Sequence, residues 1–156
     1  MIEKEELQTI IPHRGKMLLL TRVNGYNLEE RSLCAEYHVT ADCIFYDPLL
    51  GGVPSWSGFE FMAQAISALS GIRDREMGIK PRVGFILSVP SMKVEMPVFK
   101  LGSVVEVRVK EHDCIDLVFT FDCKAFLEGK KAMDGKLMVM EINEEIFNKL
   151  VKGHKF

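Results

Sequence analysis

Trp56 to Gly71, WSGFEFMAQAISALSG, is the stretch that most restricts what this chain can become. Read at helical period, Trp56, Phe59, Phe61, Met62, Ala63, Ala65, Ile66, Ala68 and Leu69 cover most of the circumference. A helix apolar nearly all round belongs in the interior, with other elements packed on it from several sides. One stripe breaks the pattern. Ser57, Glu60, Gln64, Ser67 and Gly71 recur at spacings of three, four, three and four, so small or polar groups line one narrow face. A lone carboxylate on a buried rod is costly without a partner or a task. Glu60 is therefore the first candidate for chemistry.

The rest of the chain must wrap that helix. After a charged connection, Arg73 to Arg82 with Gly78 and Pro81, the apolar period changes to two. Val83–Val89, Ser91–Val98, Ser103–Glu111, Ile115–Phe126 and Ala132–Ile142 read as strands. Val105, Val107 and Val109 alternate with Glu106, Arg108 and Lys110, the pattern of a strand with one buried face. His112-Asp113 and Glu128-Gly129-Lys130 read as hairpin turns. Ahead of the helix, Glu3–Ile11 reads as a short helix ended by Pro12, Met17–Val23 as a buried strand, and Ser32–Val39 as a half-buried strand. Ala41–Pro54, with Pro48, Gly51, Gly52 and Pro54, reads as loop, and Glu144–Val151 as a terminal helix. The pattern predicts an α+β fold: an antiparallel sheet wrapped around a long central helix of about 24 Å. No internal repeat, low-complexity segment or linker divides the chain, so residues 1–156 are expected to form a single domain.

Composition removes several function classes. The 20 basic and 22 acidic residues are spread along the chain, with no basic block for nucleic acid. No apolar run is long enough to span a membrane, and MIEKEELQTII lacks a signal-peptide pattern, so a cytoplasmic protein is expected. Cys34, Cys43, Cys114 and Cys123 form no CxxC pair and have no His at finger-like spacing. They read as free thiols, and neither a metal nor another cofactor is expected.

The motifs also carry a resemblance. VPSWSGFEFMAQAISALSG resembles the helix of the hot-dog-fold 3-hydroxyacyl-acyl-carrier-protein dehydratases, where a Pro-Gly pair opens the helix and a Glu precedes Met-Ala-Gln. Pro54 and Ser55 stand at the Pro-Gly positions, and Glu60, Met62, Ala63 and Gln64 at the others. IPHRGKMLLLTRV is similar to the family's N-terminal Pro-His-Arg segment through Pro12, His13, Arg14, Leu18, Leu19 and Arg22. MKVEMPVFKLGS resembles its later strand ending in Pro-Val and a Gly turn. The family's catalytic His, fourteen residues before the Glu, falls here on Tyr46, in the run Tyr46-Asp47-Pro48. The sequence looks closer to a divergent branch that includes dehydratases of aryl polyene pigment clusters.

The resemblance implies a hot-dog fold and dehydration of 3-hydroxyacyl thioesters held on acyl carrier protein. It also implies at least a homodimer, or a heteromer with another hot-dog subunit. Dehydration needs a stabilised thioester oxygen, removal of a C2 proton and protonation of the leaving hydroxyl. Amides at a helix start meet the first need, here the N–H groups of Ser55 and Trp56. Glu60 would act at the hydroxyl, oriented by Gln64 four residues on. For the second acid or base His13 is the first candidate, against a plain bracing role in its loop. Tyr46 and Asp47 are the positional substitutes, against ordinary turn chemistry. The Trp56 side chain would be either core or a wall of the acyl tunnel. His38, His112 and His154 read as strand-face, turn and tail residues. Lys100 and Arg82 could reach a carrier phosphate, though solvated surface charge accounts for both. Two other functions fit the same fold: a thioesterase, in which Glu60 would direct water at the carbonyl, and an acyl-binding subunit that needs an active partner.

Overall fold

The computed structural model describes residues 1–153, so His154 lies outside the described residues. The chain order is β1 (Ile2–Glu3), α1 (Lys4–Leu7), β2 (Arg22–Asn27), β3 (Ser32–His38) and β4 (Gly52–Pro54), then the long α2 (Gly58–Glu76). There follow β5 (Val83–Val94), β6 (Val98–Lys100), β7 (Val104–Ile115), β8 (Val118–Leu127), β9 (Lys130–Ile142) and α3 (Glu144–Gly153). Seven strands form one sheet in the order β1-β2-β3-β7-β8-β9-β5, antiparallel throughout, while β4 and β6 pair separately.

Period-two patterning decides which face the sheet turns to the helix. In β3, Leu33, Ala35 and Tyr37 are buried and pair with Val109, Val107 and Val105 of β7, all equally buried. The register carries the same face onward, through Val107 opposite Ala125 and Phe121 opposite Leu137. Against it α2 buries Phe61, Met62, Ala65, Ala68, Leu69 and Ile72 without measurable exposure. Phe61 lies between Tyr37 and Phe99, with ring centroids 4.4 and 6.2 Å away. Burial of this much aromatic and aliphatic surface is the main force holding helix to sheet. No helix of the described residues is long and apolar enough to cross a membrane.

Several boundaries differ from the sequence expectation. The central helix continues to Glu76, because the charges of Arg73, Asp74 and Arg75 are absorbed by ion pairs rather than by solvent alone. Met17–Val23 is not one strand. A 3-10 turn covers Gly15–Met17, the buried Leu18–Leu20 run extended, and pairing starts at Arg22. The first helix is only Lys4–Leu7. The expected strand 83–89 and the first part of 91–98 merge into β5, whose register shifts twice against β9, while Val98 begins β6. The β7–β8 hairpin turns at Asp116-Leu117, not at His112-Asp113, which stay inside β7. Asp116 takes the left-handed conformation there, with φ of 57°. Glu128-Gly129 does turn, both at positive φ, as a two-residue hairpin requires. All four cysteines are free thiols.

Candidate active site

Four parts of the chain enclose a groove of about 610 Å³: one face of α2, the segment Thr9–Arg14, the start of β5 and the end of β9. Its apolar walls include Ile10, Ala63, Ile66, Phe85, Ile86 and Val139. The polar stripe faces it in part, through Glu60, Ser67 and Gly71. Ser57 and Gln64 turn elsewhere, and both are fully buried.

Gln64 explains how the groove is built. Its Oε1 accepts the Leu19 N–H at 2.9 Å and the Leu20 N–H at 3.4 Å. Its Nε2 donates to the Met17 carbonyl at 2.7 Å and to Glu60 Oε1 at 3.2 Å. One side chain thus satisfies the backbone of an extended, buried segment and orients the carboxylate one turn earlier. This accounts for the missing strand at Met17–Thr21: its backbone groups are partly satisfied by the helix rather than by a neighbouring strand. Further along, the Ile10 carbonyl packs where a side chain at Gly71 would stand, 2.4 Å from the position of a Cβ. The N-terminal segment is therefore pinned to α2 at two points, and His13 lies on the stretch between them.

His13 Nε2 sits 3.6 Å from Glu60 Oε1, with the two side chains 25% and 21% exposed. Burial holds the imidazole below its ordinary pKa of 6.5; Glu60 pulls it up by less, and the neighbouring Arg14 pushes it down. Burial thus favours the neutral ring over imidazolium. Its Nδ1 is buried without a hydrogen-bond partner among the described residues. Arg14 is occupied by the carbonyls of Ile11 and His13, at 2.6 and 2.7 Å, which fixes the bend that presents the imidazole. A carboxylate and a neutral imidazole beside an apolar groove can take a proton at one point of a bound chain and deliver one at another.

Other expected residues fall outside this pair. The Ser55 N–H donates to the Pro97 carbonyl at 3.0 Å, a bond that continues the β4–β6 pairing, so it is not free to hold a thioester oxygen. Only the Trp56 amide of the expected two is left for that task. The Trp56 side chain is neither core nor tunnel wall: it is 59% exposed, with its ring edge-on to Phe45 at 5.8 Å. Asp47 makes turn contacts, its Oδ1 accepting the Leu49 N–H at 2.9 Å. Tyr46 packs partly buried against the core. Neither Tyr46 nor Asp47 lines the groove of its own chain. His38 pairs with Glu36 and His112 with Asp122, both away from the groove. Arg82 is not a solvated charge but a partner of Asp74 at 2.9 Å.

The sequence reading passed over the far end of the groove. There Ser70 donates to Glu141, which also accepts Arg73 Nη2 at 2.7 Å. Asp74, 1% exposed, accepts the Arg82 backbone N–H at 3.1 Å, its Nε at 3.3 Å and its Nη2 at 2.9 Å. Burial alone would raise the Asp74 carboxyl, but the Arg82 hydrogen bonds and the Arg73 charge hold it below its ordinary value. A signal was present: Asp74 continues the stripe, three residues after Gly71.

A seven-stranded antiparallel sheet wrapped around a long helix is the hot-dog fold, and here a carboxylate and an imidazole face an apolar groove beside that helix. The chain belongs to the ApeP-like family, described as ApeP dehydratase, whose model matches residues 5–151, and it is an enzyme of the dehydratase class. Among its relatives, the 3-hydroxyacyl-acyl-carrier-protein dehydratase FabZ of Chlamydia trachomatis serovar L2 is 30% identical over 151 residues, covering 90% of this chain and 93% of the relative. FabZ of Nitratiruptor sp. is 26% identical, covering 92% and 100%. The dehydratase heterocomplex ApeI:P from Xenorhabdus doucetiae has a chain of the same fold, with a TM-score of 0.83 at 23% identity, over 93% of this chain and 96% of that one. A Streptococcus pneumoniae hypothetical thioesterase, at a TM-score of 0.59 and 11% identity over 78% and 85%, shares the fold alone.

Proposed function

We propose that this dehydratase removes water from 3-hydroxyacyl thioesters carried on acyl carrier protein, in fatty acid or polyene-type synthesis, with Glu60 and His13 as its acid–base pair. The observation that carries the assignment is the 3.6 Å approach of His13 Nε2 to Glu60 Oε1 beside the apolar groove. The neutral imidazole takes the C2 proton. The C3–O bond breaks as the hydroxyl leaves with a proton from the Glu60 carboxyl. The C2–H electron pair becomes the new C2–C3 double bond, and the products are enoyl thioester and water. The imidazolium is then left beside a carboxylate, and transfer of one proton across the pair restores the starting forms. The Trp56 N–H, at the positive end of α2, would hold the thioester oxygen.

The names of the FabZ relatives support the carrier-bound substrate. A hot-dog oligomer is favoured by β5, an open sheet edge on which Phe85, Leu87 and Val89 are 40%, 49% and 42% exposed. The second subunit would be another copy or a different hot-dog chain. Tyr46 and Asp47, which do not line the groove of their own chain, would then face a neighbouring subunit's groove. A cytoplasmic location fits this substrate.

Purified protein incubated with 3-hydroxyacyl-carrier thioesters tests the reading by mass. Loss of one water supports it. Free acid with free thiol would select a thioesterase. No turnover until a second hot-dog subunit is added would select the acyl-binding role.

A further inference from the structure

The groove has a second polar station. From Glu60 to Ser70 along α2 is about 15 Å at the helical rise, and the walls between are mainly apolar. At the far end Ser70, Arg82 and Glu141 line the same groove. The four charges behind that end, Arg73, Asp74, Arg82 and Glu141, balance to zero. Arg82 spends its backbone N–H, Nε and Nη2 on Asp74, and its Nη1 has no partner among the described residues. Ser67, on the way, has a hydroxyl with no partner among the described residues either, and it too lines the groove.

We propose that this end selects acyl chains whose distal terminus carries a hydroxyl group, held by Arg82 Nη1 and the Ser70–Glu141 pair. The inference rests on the dehydratase reading of the Glu60 end and adds the substrate class. A buried ion network gives no more stability than apolar residues of the same volume. Here it faces the cavity and is not sealed from it. A methyl-ended chain reaching Arg82 would strip water from a guanidinium N–H and give nothing back. A hydroxyl accepts from that N–H and donates to a carboxylate oxygen. Because the charges cancel, a neutral oxygen group fits better than a carboxylate. A site built to hydrogen-bond a substrate hydroxyl rejects the analogue lacking it far more strongly than an apolar pocket rejects a methylene.

The test compares two 3-hydroxyacyl chains of equal length, about a dozen carbons to span the helical distance, one ending in methyl and one in a primary hydroxyl. Turnover is followed as loss of water. Binding of the matching non-reactive acyl amides is followed by calorimetry. The wild type should favour the hydroxyl-ended chain by about tenfold or more in kcat/KM and in affinity. Arg82→Lys keeps a cation for Asp74 but removes the spare N–H, and Ser70→Ala removes the hydroxyl. Either should bring the ratio towards one. A wild-type ratio near one or below, a ratio indifferent to both substitutions, or no binding of either amide overturns the proposal. Preferential binding of the hydroxyl-ended amide without loss of water from either thioester would keep the proposal and remove the dehydratase reading.

Discussion

Glu60 and Asp74 stand on the same helix and belong to the same polar stripe. Glu60 has one hydrogen bond, from Gln64 at 3.2 Å, an imidazole at 3.6 Å, and 21% of its side chain exposed. Asp74 is 1% exposed and takes four hydrogen bonds from Arg73 and Arg82. The first carboxylate is under-bonded and opens on a cavity; the second is saturated and closed. A group that must gain and lose a proton in each turnover cannot be tied down by four donors, because every donor holds it ionised. The difference in bonding is what favours Glu60 over Asp74 for the proposed acid–base role, where residue type alone does not.

Substitutions that exchange these roles would break the comparison. Glu60→Gln keeps the shape and the contact with Gln64 but cannot transfer a proton. Turnover should fall about 10²- to 10⁴-fold while the melting temperature stays close to that of the wild type. Full turnover in Glu60→Gln would remove its assigned role. Asp74→Ala should do the reverse. It leaves the Arg82 guanidinium without its carboxylate, while Arg73 keeps Glu141, at a cost of about 3–5 kcal/mol, read from urea denaturation. Molecules that remain folded should still remove water.

Gly71→Ala probes the pinning between the two carboxylates. The new Cβ would lie 2.4 Å from the Ile10 carbonyl oxygen, so the N-terminal segment must move. Overpacking of this kind costs about 1–3 kcal/mol. Because His13 is three residues beyond Ile10, kcat should drop by more than stability alone explains. A variant with lowered stability and unchanged kcat would show that the His13 segment tolerates displacement.

The contrast was only half legible in the sequence. Periodicity placed α2 and the inward faces of β3, β7 and β8, because one face of each is buried and the other solvated. The stripe pointed to Glu60, and four-residue spacing linked Gln64 to it. The far half was missed for a physical reason. Arg73, Asp74 and Arg75 look like an exposed connection when read in order, since charges are rarely buried unless paired. The pairing partners lie beyond any local pattern: Arg82 is 8 residues past Asp74, and Glu141 is 68 past Arg73. The Ser55 amide failed for a similar reason: its acceptor, Pro97, belongs to a strand pairing that no local signal announces. That Glu60 and His13 face one another also depends on distant contacts, the Gln64 bonds to Leu19 and Leu20.

The smallest expected effect bears on the protonation of the pair. Two forces act on His13: burial, which disfavours imidazolium, and Glu60, which favours it, and burial prevails. The folded pKa therefore lies below 6.5, the unfolded value. Between the two, the unfolded chain binds a proton that the folded chain refuses, so stability from this group is present above pH 6.5 and is lost as pH falls through that window. His13→Asn removes the titration. The stability difference between wild type and His13→Asn, measured by urea denaturation from about pH 7 to pH 5 across the ordinary His range, should move against the wild type as the solution is acidified. The opposite slope would mean that His13 is charged by Glu60 in the folded state. The pair would then be a structural ion pair like that of Asp74, and the base would have to be sought on another subunit.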